Sequence, residues 1–323
     1  MRTANASTRS LLSLLSLSAV LTGAAAGCDP VDEDLGEVTL RPWGCTQCTI
    51  TGGNSANING ASLANIHLTQ PFGNGMSLGP LSSGLNLNLR LGVDPVTDSF
   101  VGLSGSDVML SGADMVGAKI AVNLNNTQYI WLEISEFDNQ IPSWSASGAT
   151  ITAYKATYFN QGVTRQLCPS TNPENQWFTL IPDERYNAGT NEVESAPGTV
   201  TIACVGEAAA KMKLFDFHPH GNRQASPEER QATLRMVTAD YCGNGHSFTV
   251  TGTQVAWRDA AGQVEPVVKE NVLEALWDAN GAICLNKPRY ASIADVQDVC
   301  GEIPLCDSGE FVEGVVWRTM LPK

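Results

Sequence analysis

"SPEERQATLRMVTADYCGNGHSF", residues 226–248, carries the reading of the fold. Its first half starts a helix. Ser226 is a hydroxyl N-cap, Pro227 takes the first helical position, and Glu229 can return the capping bond. Leu234, Val237 and Tyr241 then recur at i, i+3 and i+7 and predict a buried stripe. The helix is expected to stop at "GNG", with Gly243 or Asn244 in the left-handed conformation. Downstream, "HSFTVTGTQVAWRD" alternates as a hairpin, with Phe248, Val250, Val255 and Trp257 on its inner face. A second hairpin is expected in "VLEALWDANGAICL", where Asn280-Gly281 suits a type I′ turn. Ser292 with Asp295 opens a short helix, "SIADVQDVC", closed by Gly301. Residues 166–323 therefore read as an α+β domain.

Upstream the composition changes. From Cys45 to Leu89 there is no Asp, Glu, Lys or Arg, and Gly, Asn, Ser and Leu abound. Short runs then alternate with period two: "LNLNLRLGV" (85–93), "DVMLSG" (107–112), "KIAVNL" (119–124) and "YIWLEI" (129–134). Gly, Asn or Asp punctuates them, as in half-buried antiparallel strands. Residues 40–165 read as an all-β domain with Tyr129 and Trp131 in or near its core. Nearly 300 residues can bury one large core or two ordinary ones, and the composition shift favours two.

The first residues address the compartment. Arg2 and Arg9 precede the apolar "LLSLLSLSAVLTG", too short to span a bilayer and suited to a secretory signal over 1–27. "AAAGC" resembles a bacterial lipobox, which makes Cys28 an acylation site (palmitate) and the mature N-terminus. Cleavage after Ala26 is the rival, because Ala24-Ala25-Ala26 also fits a signal-peptidase pattern. Parity favours acylation. Of nine cysteines, setting Cys28 aside leaves Cys45, Cys48, Cys168, Cys204, Cys242, Cys284, Cys300 and Cys306, enough for four disulfides. Residues 28–39 read as a lipidated acidic tether. The protein is thus expected to be exported and anchored to the cell envelope, with outer membrane or periplasmic face left open. The chain's formal net charge of −14 repels nucleic acid and anionic headgroups, so the lipid is the expected contact with membrane.

With these residues placed, the C-terminal half resembles the ADYC domain of predicted myxobacterial lipoproteins, named for Ala239-Asp240-Tyr241-Cys242. "ADYCGNGHSFTVTGT", "EALWDANGAIC" (274–284) and "TIACVGEAAAKMKLFDFHPHG" (201–221) carry the likeness, which spans about 200–306. Met212 and Thr233 stand where the family usually has cysteines, as the loss of one disulfide would leave them. The resemblance implies a lipoprotein context and a disulfide-bearing fold, and no activity or cofactor.

Candidate chemistry is sparse. Asp240, Cys242 and His246 could form a Cys/His site, but an even cysteine set in an exported chain argues for a disulfide at Cys242. Asp240 near a helix C-terminus is expected to bond N–H groups of the next turn. Cys204 and Cys284, each ending a strand-like run, are the expected partners of Cys242, leaving Cys300 to pair with Cys306. "FDFHPHG" offers His218 and His220 at a spacing that metal hydrolases use with an Asp close behind; here Asn222 follows and Asp216 precedes, so Asp216, His218 and His220, with His246 as a further candidate, are the residues of the metal-hydrolase alternative. "WGCTQC" lacks the following helix of a redox motif. The reading is a lipid-anchored envelope protein with a binding or structural role toward an unidentified envelope ligand or protein, its charge-free β region serving as contact surface. A metal hydrolase is the alternative.

Overall fold

A computed structural model describes residues 56–323, apart from 59–60, 65, 69–76, 83–87, 124–128, 171–172, 188, 251–252 and 265–270. The expected signal segment, Cys28, the tether, Cys45 and Cys48 lie outside the described residues, as does part of the charge-free stretch.

The described chain opens with Asn57–Ile58 (β1), paired to Ala61–Ser62 (β2), and with Ile66–His67 (β3), which runs parallel to Ser77–Ser82 (β4). Asn88–Asp94 (β5), Ser99–Ser104 (β6) and Asp107–Ser111 (β7) form a meander. Lys119–Asn123 (β8), Tyr129–Pro142 (β9), Thr150–Asn160 (β10) and Val163–Gln166 (β11) follow, and then the long hairpin of Phe178–Tyr186 (β12) and Val193–Cys204 (β13). Hydrogen bonding runs β3-β13-β12-β10-β9-β8-β4, and the β3–β4 pair closes the ring. The result is a seven-stranded barrel, with β5–β7 extending from β4 and β11 from β10.

The alternation read in the sequence explains the barrel. Ile120 and Val122 on β8, Ile130, Leu132 and Ile134 on β9, and Tyr154 and Ala156 on β10 all face the barrel core, with Phe178, Leu180, Val200 and Ile202. Each large side chain so buried contributes about 1.5–3 kcal/mol. Trp131 corrects an expectation. It is out of phase with its neighbours on β9, points outward and is 46% exposed.

Beyond the barrel come Ala208–Leu214 (α1) and Pro227–Thr238 (α2), then Ala256–Asp259 (β14), Asn271–Asp278 (β15), Gly281–Leu285 (β16), Ile293–Cys300 (α3) and Trp317–Pro322 (β17). The last four strands form an antiparallel sheet in the order β14-β17-β15-β16. A second core lies between the outer face of the barrel (Ile151, Ala153, Ile181), the two helices (Met212, Leu234, Val237) and this sheet (Trp277, Trp317). Trp144 stacks on Trp257 with centroids 5.8 Å apart, and Phe215 meets both edge-on. Met212 and Thr233 are fully buried on α1 and α2.

The expected boundary between residues 165 and 166 finds no support. Strands β12 and β13 complete the barrel begun by β8–β10, and the described residues all fall in one compact unit. Local signals fared better. Both capping boxes, Ser226 with Glu229 and Ser292 with Asp295, are made, and Gly301 caps α3. Helix α2, however, ends before "GNG", because Ala239 itself takes the left-handed conformation (φ 52°). Among the described residues of 246–255 no strand is formed, and β14 pairs with β17. At the second hairpin the turn residues are Ala279 and Asn280, neither at positive φ; Gly281 carries it, so the turn is not type I′.

Candidate functional site

Among the described residues a cluster of ionisable side chains surrounds Asp98, in the turn between β5 and β6. Lys213 from α1 brings Nζ to 2.9 Å from its carboxylate, and both side chains are almost fully enclosed. Lys213 also donates to the Leu180 carbonyl at 2.6 Å. The loop after α1 adds His218, with Nδ1 at 3.3 Å from Asp98 Oδ2, and His220, with Nδ1 at 3.0 Å from Oδ1. Burial alone would raise the Asp98 carboxyl, but Lys213 and His218 outweigh it and hold the group well below the usual carboxylate range. Burial lowers both Lys213 and His218, with Asp98 opposing.

Asp216 lies on the other side of His218, its Oδ1 3.7 Å from Nε2. Its carboxylate accepts from the Asn222 and Arg223 N–H groups at 2.9 and 3.1 Å and so folds the His218–His220 loop back on itself. The three residues expected as a metal set are therefore brought close together, with both imidazoles turned to Asp98 and His218 set between Asp98 and Asp216. Among the described residues no group of three or more His, Cys, Asp or Glu side chains is placed to hold a metal ion. His246 packs on Phe248 instead, with ring centroids 4.4 Å apart. What the cluster can do is clamp. One carboxylate ties the β5–β6 turn to α1 and to the His loop, and His220, 24% exposed, is its member nearest solvent.

The 239–242 stretch is a joint between α2 and the small sheet. Ala239 reverses the chain. Asp240, wholly buried, pairs with Arg235 on the last turn of α2 and accepts from Asn244 N (3.1 Å) and Gly245 N (2.8 Å), the role expected of it. The Tyr241 hydroxyl donates to Glu274 on β15 (2.6 Å) and accepts from Arg289 N (2.9 Å), while its ring stacks on Trp277. Burial and then Glu274 push its phenol well above the ordinary value. The joint closes on the β15–β16 turn. Gly243, at φ +66°, leaves no room for a Cβ against the Asn280 carbonyl, so only glycine fits.

Cys242 is disulfide-bonded, though to neither expected partner. The pairs are Cys242–Cys300, Cys284–Cys306 and Cys168–Cys204. Helix α3 swings its C-terminal Cys300 onto the joint, while Cys284 on β16 meets Cys306 in the segment after α3, so the expected Cys300–Cys306 pair is not formed. Cys204, at the end of β13, is held by Cys168 just after β11. Cys242 is therefore no free thiolate.

A family model for the ADYC domain matches residues 112–291. The chain belongs to the ADYC family. Searches of the curated proteins and of the solved structures return no match. In this ADYC protein every residue of the signature is occupied in the joint, and the family match extends back into the barrel, through β8 to β13. The three disulfides suggest an oxidising, exported environment. Among the described residues no helix is long and apolar enough to cross a membrane.

Asp98 and Lys213 escaped the reading of the sequence. Asp98 lies in "DPVTDSF", an ordinary turn, and nothing local marks it. Lys213 did leave a signal: with Lys211 it interrupts the otherwise apolar "AAAKMKLF", where a buried cation needs a partner.

Proposed function

We propose that this ADYC protein is an envelope lipoprotein, anchored through an acylated Cys28, whose role is to present a rigid β-rich body that binds an envelope ligand or protein. The observation that carries this reading is the cysteine pairing. Six cysteines are joined in three disulfides. In this proposal Cys45 and Cys48, close neighbours in the sequence, form a fourth pair, which leaves Cys28 as the one thiol for lipid. A binding role rather than a chemical one is supported by the tasks of the conspicuous side chains: Asp240 and Cys242 hold the joint, and His218 and His220 hold Asp98.

Expression with its own signal, followed by detergent-phase partition and mass spectrometry of the N-terminal peptide, tests the anchor. Acylated Cys28 and loss of partition in Cys28→Ser are expected, since stable anchoring takes more than one acyl chain. An unmodified peptide starting at Gly27 would sink the reading.

A further inference from the structure

On the outside of the barrel, strand register builds two parallel rows of side chains across β4, β8, β9, β10 and β11. In the first row Ser82 faces Lys119, Lys119 faces Glu133, and Glu133 faces Thr157. In the second, Phe159 faces Thr164, and Trp131, on the outer face of β9 two residues from Glu133, lines the same groove. Cross-strand neighbours in such pairs lie about 5 Å apart, so the rows are continuous surfaces. Together they line an open groove of about 340 Å³. Trp131 is 46% and Phe159 62% exposed, and two adjacent large aromatic side chains in water are costly unless something covers them.

We propose that this groove binds a neutral saccharide, a specificity that rests on the binding reading above. The aromatic row offers the π faces on which the C–H side of a pyranose ring packs. The polar row offers hydroxyls and a charged pair that can donate to and accept from ring hydroxyls. Lys119 and Glu133 sit 3.3 Å apart and neutralise each other, so the groove presents no unpaired charge to a cation or an anion. The chain's net charge of −14 further disfavours acidic polymers and anionic headgroups. An acyl chain would offer no hydrogen-bonding group to the polar row of Ser82, Lys119, Glu133 and Thr157. The volume lies at the small end of the range for ligand sites, which suits one or two sugar rings.

The test is affinity electrophoresis of the full chain in gels carrying, in turn, a soluble α-glucan, a β-glucan, a mannan and N-acetylhexosamine oligomers. Anionic polysaccharide and neutral-lipid vesicles serve as the other arms. Retardation by at least one neutral glycan is expected. Trp131→Ala and Phe159→Ala should each weaken it tenfold or more, Trp131→Phe should retain part of it, and the melting temperature should not change. The proposal is overturned by no retardation with any neutral glycan, by retardation that survives Trp131→Ala, or by binding confined to the anionic polymer or the vesicles. Detergent partition of the same preparation reports separately on the lipoprotein reading.

Discussion

The Asp98 carboxylate and the Lys213 ammonium meet at 2.9 Å, with 5% and 3% of their side chains exposed. An ion pair this enclosed is costly to break from one side, because the surviving charge stays buried and alone. Asp98→Asn should therefore destabilise the protein by about 3–5 kcal/mol. The double variant Asp98→Asn/Lys213→Met should lose less than Asp98→Asn alone. Urea midpoints of the three proteins measure it, and equal losses in single and double variants would show that the charge on Lys213 does not matter.

Asp240 holds Arg235 and two N–H groups of the following turn. Asp240→Ala strands all three donors, and a loss of about 3–5 kcal/mol is expected for an unpaired buried charge with unmet donors. Asp240→Asn keeps an oxygen for the turn and should fall between the parent and Asp240→Ala. A thermal melt followed by circular dichroism ranks them.

Glu207, just before α1, accepts from Cys204 N at 2.7 Å, and burial raises its carboxyl to about 8, the backbone bond opposing. A folded-state value above the unfolded 4.5 means that the native protein holds the proton more tightly. The stability this provides is complete below about pH 4.5 and is lost as pH rises toward about 8. Glu207→Gln, neutral throughout, should match the parent at pH 4–5 and exceed it above pH 8. The expected gain is a few kcal/mol, at about 1.4 kcal/mol for each tenfold difference in proton affinity between the folded and unfolded chain. Melting curves at both ends of the range check this, and a constant difference between the two proteins would refute it.

Cys242 and Cys300 close a loop with a sequence separation of 58. The chain-entropy model gives such a closure about 4 kcal/mol. Cys242→Ser and Cys300→Ser should lower stability by similar amounts, and the double variant by little more than either. Non-reduced peptide mapping should return the Cys242 and Cys300 peptides as one species; a Cys242 that alkylates without reductant would revive the nucleophile reading.

Short-range features were legible in the sequence because their causes are short-range. The two capping boxes each need only four consecutive residues, and the strands β8 and β9 need only alternation. The outward face of Trp131 was legible too, in its phase: Ile130, Leu132 and Ile134 claim the barrel interior, and a residue between them must point the other way, however large. Barrel closure was not, since β3 is only two residues long and meets β4 through one pair, His67 with Ser77. Nor was the Asp98 cluster, whose members meet only after the β5–β6 turn and α1 have docked. The left-handed Ala239 was hidden because Gly243 and Asn244 advertised a later stop, whereas Asp240 and its three partners stabilise the earlier one.

The two disulfides of the C-terminal part interleave. Cys284 lies inside the loop closed by Cys242 and Cys300, and its partner Cys306 lies outside it. With Cys28 acylated and Cys45 joined to Cys48, as proposed above, a chain threaded N-terminus first across a membrane and oxidised in order of arrival joins Cys168 to Cys204 correctly. It then joins Cys242 to Cys284 and Cys300 to Cys306, both mistaken. Maturation of this protein accordingly calls for an isomerase that reshuffles bonds as well as an oxidase that makes them, and a host lacking the former should accumulate a compact, fully oxidised and wrongly wired form.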